Sequence, residues 1–274
     1  MIVIFSTQED ISTHRVLEWL HYYKTSAVVI NELNPIVDVF IEIGALEQDE
    51  VSFVLSSGQK ISIKDIDVVW YRRGLHFFKF PYGRLNQHTH LQHFYFHLKS
   101  EYENLSQYFF ELLRPLTIGD YNLAIPNKLL VLREAKKCGL LIPETRIITD
   151  KKNAFEQTHI NKNITEVVNV KYEKQLFYNR TTLQGAYETN TFFPSLLQLN
   201  IKKFCELRAF FFMDRFFTMA TMPDVMEVLE TDNRDITSTK YFHRVAFDLP
   251  LEVERKLTDL ITSLGYTTCS VDMI

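Results

Sequence analysis

A short apolar run, Ile2 to Phe5, opens the chain, and Asp10 and Ser12 follow it as candidate helix caps. Val16, Trp19, Leu20 and Tyr23 then recur at i, i+3, i+4 and i+7, the spacing of one helical face. Ala27 to Ile30 is apolar again. A continuous apolar strand, an amphipathic helix and a second apolar strand predict the start of an α/β layer with a parallel sheet.

The pattern continues with strand-like segments at Val37 to Ile43, Val51 to Leu55, Ile61 to Ile63 and Val68 to Tyr71. Ser57-Gly58 predicts a tight turn. Phe94, Leu98, Tyr102, Leu105, Phe109 and Leu112 predict one stripe of a long helix, with Pro115 just past its end. A domain boundary is expected between Gly119 and Pro126. Asn127 caps a shorter helix that stops at Gly139. Strands are then predicted at 145–148, 164–171, 175–182, 195–199, 204–213 and 216–220. A helix over Val253 to Leu264 and a last strand from Thr268 to Ile274 complete the reading.

The chain has 274 residues and a formal net charge of -4, which argues against non-specific nucleic-acid binding. Three scattered cysteines, Cys138, Cys205 and Cys269, give neither a zinc spacing nor a disulfide framework. The start lacks a signal-peptide pattern and no stretch is long enough to span a bilayer. A cytoplasmic location and no membrane partner are the expectations. GxGxxG, GxxxxGK[ST] and GxSxG are all absent, and there are only 8 glycines. A Rossmann oxidoreductase, a P-loop kinase and an α/β-hydrolase are therefore disfavoured.

A few polar groups stand out. Lys128 lies in the first turn of its helix, where a cation opposes the helix dipole unless an anion such as phosphate is bound; a solvated lysine is the plainer reading. Glu206 and Arg208 alternate onto one face of an apolar strand, as a binding pair or as an i, i+2 ion pair on a covered face. Arg234 and Arg244 fall in a loop-rich stretch, where arginine suits bidentate capture of carboxylate or phosphate. His93 and His97 have the i, i+4 spacing of a zinc pair, but a plain histidine row is the commoner outcome of such a pattern.

In order, Met1-Ile-Val-Ile-Phe5, Val16-Leu-Glu-Trp-Leu20, Val68-Val-Trp-Tyr-Arg-Arg-Gly74, Asn127-Lys128, Cys138-Gly-Leu-Leu-Ile-Pro-Glu-Thr145, Pro194-Ser-Leu-Leu-Gln-Leu-Asn-Ile201, Glu206-Leu-Arg208, Asp232-Asn-Arg234 and Ser270-Val-Asp-Met-Ile274 resemble the graspetide (microviridin-like) ATP-grasp peptide maturases over essentially the whole chain. The resemblance implies a mixed α/β (α+β) ATP-grasp fold. Residues 1–120 would form an N-terminal pre-ATP-grasp α/β domain, 121–195 the first grasp subdomain and 196–274 the second. The family places a Glu-x-Asn metal pair on the strand after the one that holds Asp272, so the second subdomain is expected to be incomplete at Ile274.

The resemblance also implies roles. Lys128 and Lys162 would contact the nucleotide, with Lys171 a competitor for the second place. Gln198, Leu199 and Ile201 would lie along the adenine hinge, and Glu206 would hold the ribose hydroxyls. Arg208, Arg234 and Arg244 would stabilise the transferring phosphoryl group, and Asp272 would be a metal ligand. ATP and Mg2+ are the implied cofactors, a ribosomal precursor peptide (leader and core) the implied partner, and a homodimer the implied assembly. The implied activity is ligation of Asp or Glu side chains, through acyl phosphates, into ω-ester or ω-amide macrocycles. Two other readings remain open: a nucleotide- or leader-binding fragment without turnover, and a ligase of free amino acids.

Overall fold

The computed structural model describes residues 1–44, 49–72, 78–79, 91–120, 123, 126–150, 152, 159–162, 191–199, 201, 203–223 and 242–274. Arg234, Lys171 and the strands expected at 164–171 and 175–182 lie outside the described residues. The chain divides into two compact units, Met1–Tyr121 and Asn122–Ile274.

In the first unit, β1 (Ile2–Phe5), α1 (Ile11–Tyr22) and β2 (Ala27–Ile30) form the predicted crossover. A three-stranded antiparallel sheet follows, from β3 (Ile36–Glu42), β4 (Glu50–Leu55) and β5 (Lys60–Ser62). Gly58, at φ +86, makes the turn between β4 and β5 in a conformation that costs other residues a steric clash. Then come β6 (Val68–Tyr71), α2 (Gln92–Leu113) and β7 (Thr117–Ile118). The parallel sheet has the order β2-β1-β6-β7, so the chain leaves β1 to one side and later returns to the other.

The core of this unit gathers Val3, Phe5, Phe53, Val69, Phe109 and Leu113 among others, all 5% exposed or less. Phe109 meets Phe53 and Phe78 edge-on, with centroids 5.3 and 5.7 Å away. Each such phenyl group contributes roughly 1.5–3 kcal/mol by leaving water.

The stripe predicted on α1 is rotated in the structure. Asp10 caps α1, accepting from the Thr13 N–H at 2.8 Å, and the Thr13 hydroxyl lies 2.6 Å from that of Ser6 at the end of β1. Those contacts turn Thr13, Val16, Leu17 and Leu20 inward. Trp19 and Tyr23 are left 60% and 67% exposed, stacked on each other rather than buried. On α2 the predicted stripe holds from Leu98 through Tyr102, Leu105, Phe109 and Leu112, with Ser106, Phe110 and Leu113 buried beside it, whereas Phe94 is exposed.

The second unit opens with α3 (Lys128–Lys137), whose cap Asn127 accepts from the N–H groups of Leu129 and Leu130. Gly139, at φ +75, ends it in a Schellman turn, with Leu140 N–H donating to Ala135 O and Gly139 N–H to Lys136 O. One antiparallel sheet has the order β8-β10-β9, from β8 (Thr145–Asp150), β9 (His159–Lys162) and β10 (Thr191–Leu199). Its register shifts between Thr191 and Ser195, around Pro194, which has no N–H to give a ladder.

The other sheet has the order β13-β12-β11-β14, from β11 (Glu206–Phe212), β12 (Arg215–Pro223), β13 (Phe242–Ala246) and β14 (Thr268–Met273). All of its pairings are antiparallel. Before β14 runs α4 (Leu251–Ser263), which packs with α3 and buries Leu257, Leu260 and Ile261. β13 was not anticipated: Arg244 stands on a strand rather than in a loop, because Phe242 to Ala246 pair with β12 along its whole length.

Candidate functional site

In an antiparallel pair, residues directly opposite each other share a face. On β11, Leu207, Ala209 and Phe211 point one way and Glu206, Arg208 and Phe210 the other. Ala209 and Phe211 are buried, so the second set forms the open face. Register extends that face across the sheet. Glu206 stands opposite Thr221, which stands opposite Arg244. Arg208 lies between Asp272 on one side and Met219 on the other. Phe210 lies between Ser270 and Phe217. Four predicted site residues, Glu206, Arg208, Arg244 and Asp272, thus come from three strands to one surface.

In place of the i, i+2 ion pair that was one reading of the sequence, the ion pairs seen on this face among the described residues run to other partners. Arg208 donates to Asp272 through Nε at 2.7 Å and Nη2 at 2.9 Å, a two-pronged contact across strands. Glu206 Oε1 instead accepts from Nζ of Lys203. Nor is the face covered as expected, since the Arg208 and Asp272 side chains are 54% and 60% exposed. Alternation with apolar neighbours marks a strand with one buried face, and here the charged face is the other one.

The floor of the face is apolar, with Phe210 and Phe217 exposed and their centroids 6.5 Å apart. Lys203 is the residue that sequence reasoning missed. It lies just ahead of β11, and nothing in the pattern separates it from its neighbour Lys202.

The remaining candidates lie elsewhere in the unit. Lys128 is the first residue of α3 and is half-buried. Lys162 is the last residue of β9, its backbone paired with Leu196. Gln198 is in β10, flanked by Thr145 and Ile160, and its side-chain amide donates to the Thr145 hydroxyl at 3.0 Å. The Leu199 N–H donates to Glu144 O at 3.0 Å, so that hinge donor is already committed. Ile201 is exposed just beyond.

Among the described residues no group of three or more His, Cys, Asp or Glu side chains converges. His93 and His97 are both exposed, outside any such group. Asp272 is a single carboxylate with both oxygens engaged by Arg208. The described donors do not fit Mg2+. Among the described residues no helix is long and apolar enough to cross a membrane.

No protein-family model matches the chain, and no curated protein matches it in sequence. Solved structures do. Macrocyclase MdnC from Microcystis aeruginosa MRC, bound with precursor peptide MdnA, superposes with a TM-score of 0.69 at 20% identity, covering 100% of this chain and 87% of that one. A RiPP-associated ATP-grasp ligase from Chryseobacterium gregarium, in complex with ADP and a leader and core peptide, gives 0.74 at 20% identity, covering 100% and 84%. ATP-grasp ligase PsnB, complexed with a minimal precursor, gives 0.66 at 14% identity, covering 99% and 84%. These are proteins of the kind the sequence motifs resemble. The chain has a mixed α/β ATP-grasp fold.

Proposed function

We propose that the chain is an ATP-dependent peptide ligase of the graspetide type, which activates Asp or Glu side chains of a ribosomal precursor peptide and closes them into ω-ester or ω-amide rings. The observation that carries this reading is the assembly of Glu206, Arg208, Arg244 and Asp272 on one open sheet face of an ATP-grasp fold. The neighbours solved with ADP and with precursor peptides support it.

In this reading, adenine lies along the strand end at Gln198 to Ile201, and Glu206 accepts from the ribose hydroxyls. Lys128 and Lys162 meet the phosphates. Arg208 and Arg244, with Arg234, spread positive charge where the phosphoryl group transfers. A peptide carboxylate oxygen attacks the γ-phosphorus, and the bond to the β-phosphate oxygen breaks to release ADP. A hydroxyl or amine of the same peptide then attacks the acyl phosphate carbon. Phosphate departs and the nucleophile loses its proton, so each ring costs one ATP and removes the elements of one water. The protein's contribution is positioning and charge neutralisation.

One observation favours a second reading, a chain that binds nucleotide or leader peptide without turnover: Asp272 is held by Arg208 and no acidic cluster surrounds it among the described residues. Incubating the chain with ATP, Mg2+ and a precursor peptide, then weighing the peptide by mass spectrometry, separates the two. ATP-dependent loss of water supports the ligase. Unchanged mass with retained ATP or peptide binding supports the second reading. Incorporation of labelled free glutamate would instead support a ligase of free amino acids.

A further inference from the structure

We infer that Lys203 is a positioning residue of the nucleotide site, holding the Glu206 carboxylate oriented so that the pair sets recognition of the ribose hydroxyls. The inference rests on the reading of Glu206 given above.

Lys203 Nζ contacts Glu206 Oε1, and their side chains are only 14% and 26% exposed. The other ion pair on this face, Arg208 with Asp272, is more than half exposed at both ends. A ribose offers two hydroxyl donors, and a carboxylate receives both only when its plane is set to meet them. Glu206 begins β11 and Lys203 precedes that strand, so the contact also fixes the carboxylate at the point where the chain enters the sheet. A surface ion pair of purely structural value would show none of this ligand dependence.

The test compares ATP with 2′,3′-dideoxy-ATP by calorimetry on wild type, Lys203→Met, Lys203→Arg and Glu206→Gln. Wild type is expected to prefer ATP by about tenfold or more, the scale of one or two charge-assisted hydrogen bonds. Lys203→Met is expected to collapse that preference to about twofold while binding dideoxy-ATP much as wild type does, which also shows that the variant is folded. Lys203→Arg restores most of the preference, and Glu206→Gln abolishes it. A Lys203→Met chain that keeps the wild-type preference, or weakens both nucleotides equally, overturns the inference and leaves the proposed function standing. A wild type that binds neither nucleotide, or both equally, overturns the inference together with the role assigned to Glu206.

Discussion

Arg208 and Asp272 face each other across β11 and β14 and are joined by two parallel hydrogen bonds, Nε to Oδ1 at 2.7 Å and Nη2 to Oδ2 at 2.9 Å. The two residues are 64 positions apart in sequence, so the contact reports the pairing of the last described strand with the centre of its sheet. Both side chains are more than half exposed, and exposed pairs contribute little even when geometry is good. A double-mutant cycle of Arg208→Ala and Asp272→Ala in urea is expected to give a coupling of about 0.5–1 kcal/mol that shrinks in 1 M salt. A coupling of several kcal/mol would mean that the face is covered in solution.

Phe109 and Trp19 make an opposed pair of aromatic substitutions. Phe109 is 0% exposed and ringed by other phenyl groups, whereas Trp19 is 60% exposed. Phe109→Ala is expected to destabilise the first unit by about 3–5 kcal/mol, and Trp19→Ala to change stability by about 0.5 kcal/mol or less. Thermal melts of the two variants check this. A large loss from Trp19→Ala would show that its stack with Tyr23 is covered.

The two-residue turn between β11 and β12 is made by Met213 and Asp214 at φ 48 and 59, a left-handed conformation that aspartate tolerates and methionine rarely adopts. Asn-Gly is the preferred pair for such a turn. Met213→Asn with Asp214→Gly is therefore expected to raise stability by roughly 0.5–1 kcal/mol, measured as a higher urea midpoint at unchanged slope.

Burial pushes the Cys269 thiol up from 9.0 to about 11. A group whose folded value is raised favours folding below its unfolded value, and that contribution fades as pH climbs from about 9 through about 11. At pH 8 the native chain is expected to take up a thiolate-specific reagent only slowly at Cys269, with the rate rising on unfolding in urea. Peptide mapping after timed alkylation reads this directly, and fast native labelling would contradict it.

Much of the fold could be read from the sequence because its first strands are continuous apolar runs. Ile2 to Phe5, Ala27 to Ile30 and Val68 to Tyr71 are strands at the predicted residues. Helix rotation was less legible. Period gives the face only to within a residue, and on α1 the hydroxyl contact of Thr13 with Ser6 settled what the apolar spacing could not. β13 was missed because Phe242 to Ala246 is short and carries two polar residues, and among the described residues its pairing is with β12 alone. At the site, residue types were legible and partners were not. Arg208 meets Asp272, and Glu206 meets Lys203, through pairing and turn geometry that alternation along one strand does not encode.

The most direct measurement of the central claim is an ATP titration of the intact chain by calorimetry, with and without Mg2+, repeated on Lys128→Ala and Arg208→Ala. A nucleotide site in the ATP-grasp fold predicts saturable one-site binding in the wild type and a loss of about tenfold or more in each variant, as expected when a charged phosphate contact is removed. An undetectable heat of ATP binding in a folded wild-type chain, or variants that bind as the wild type does, would contradict it.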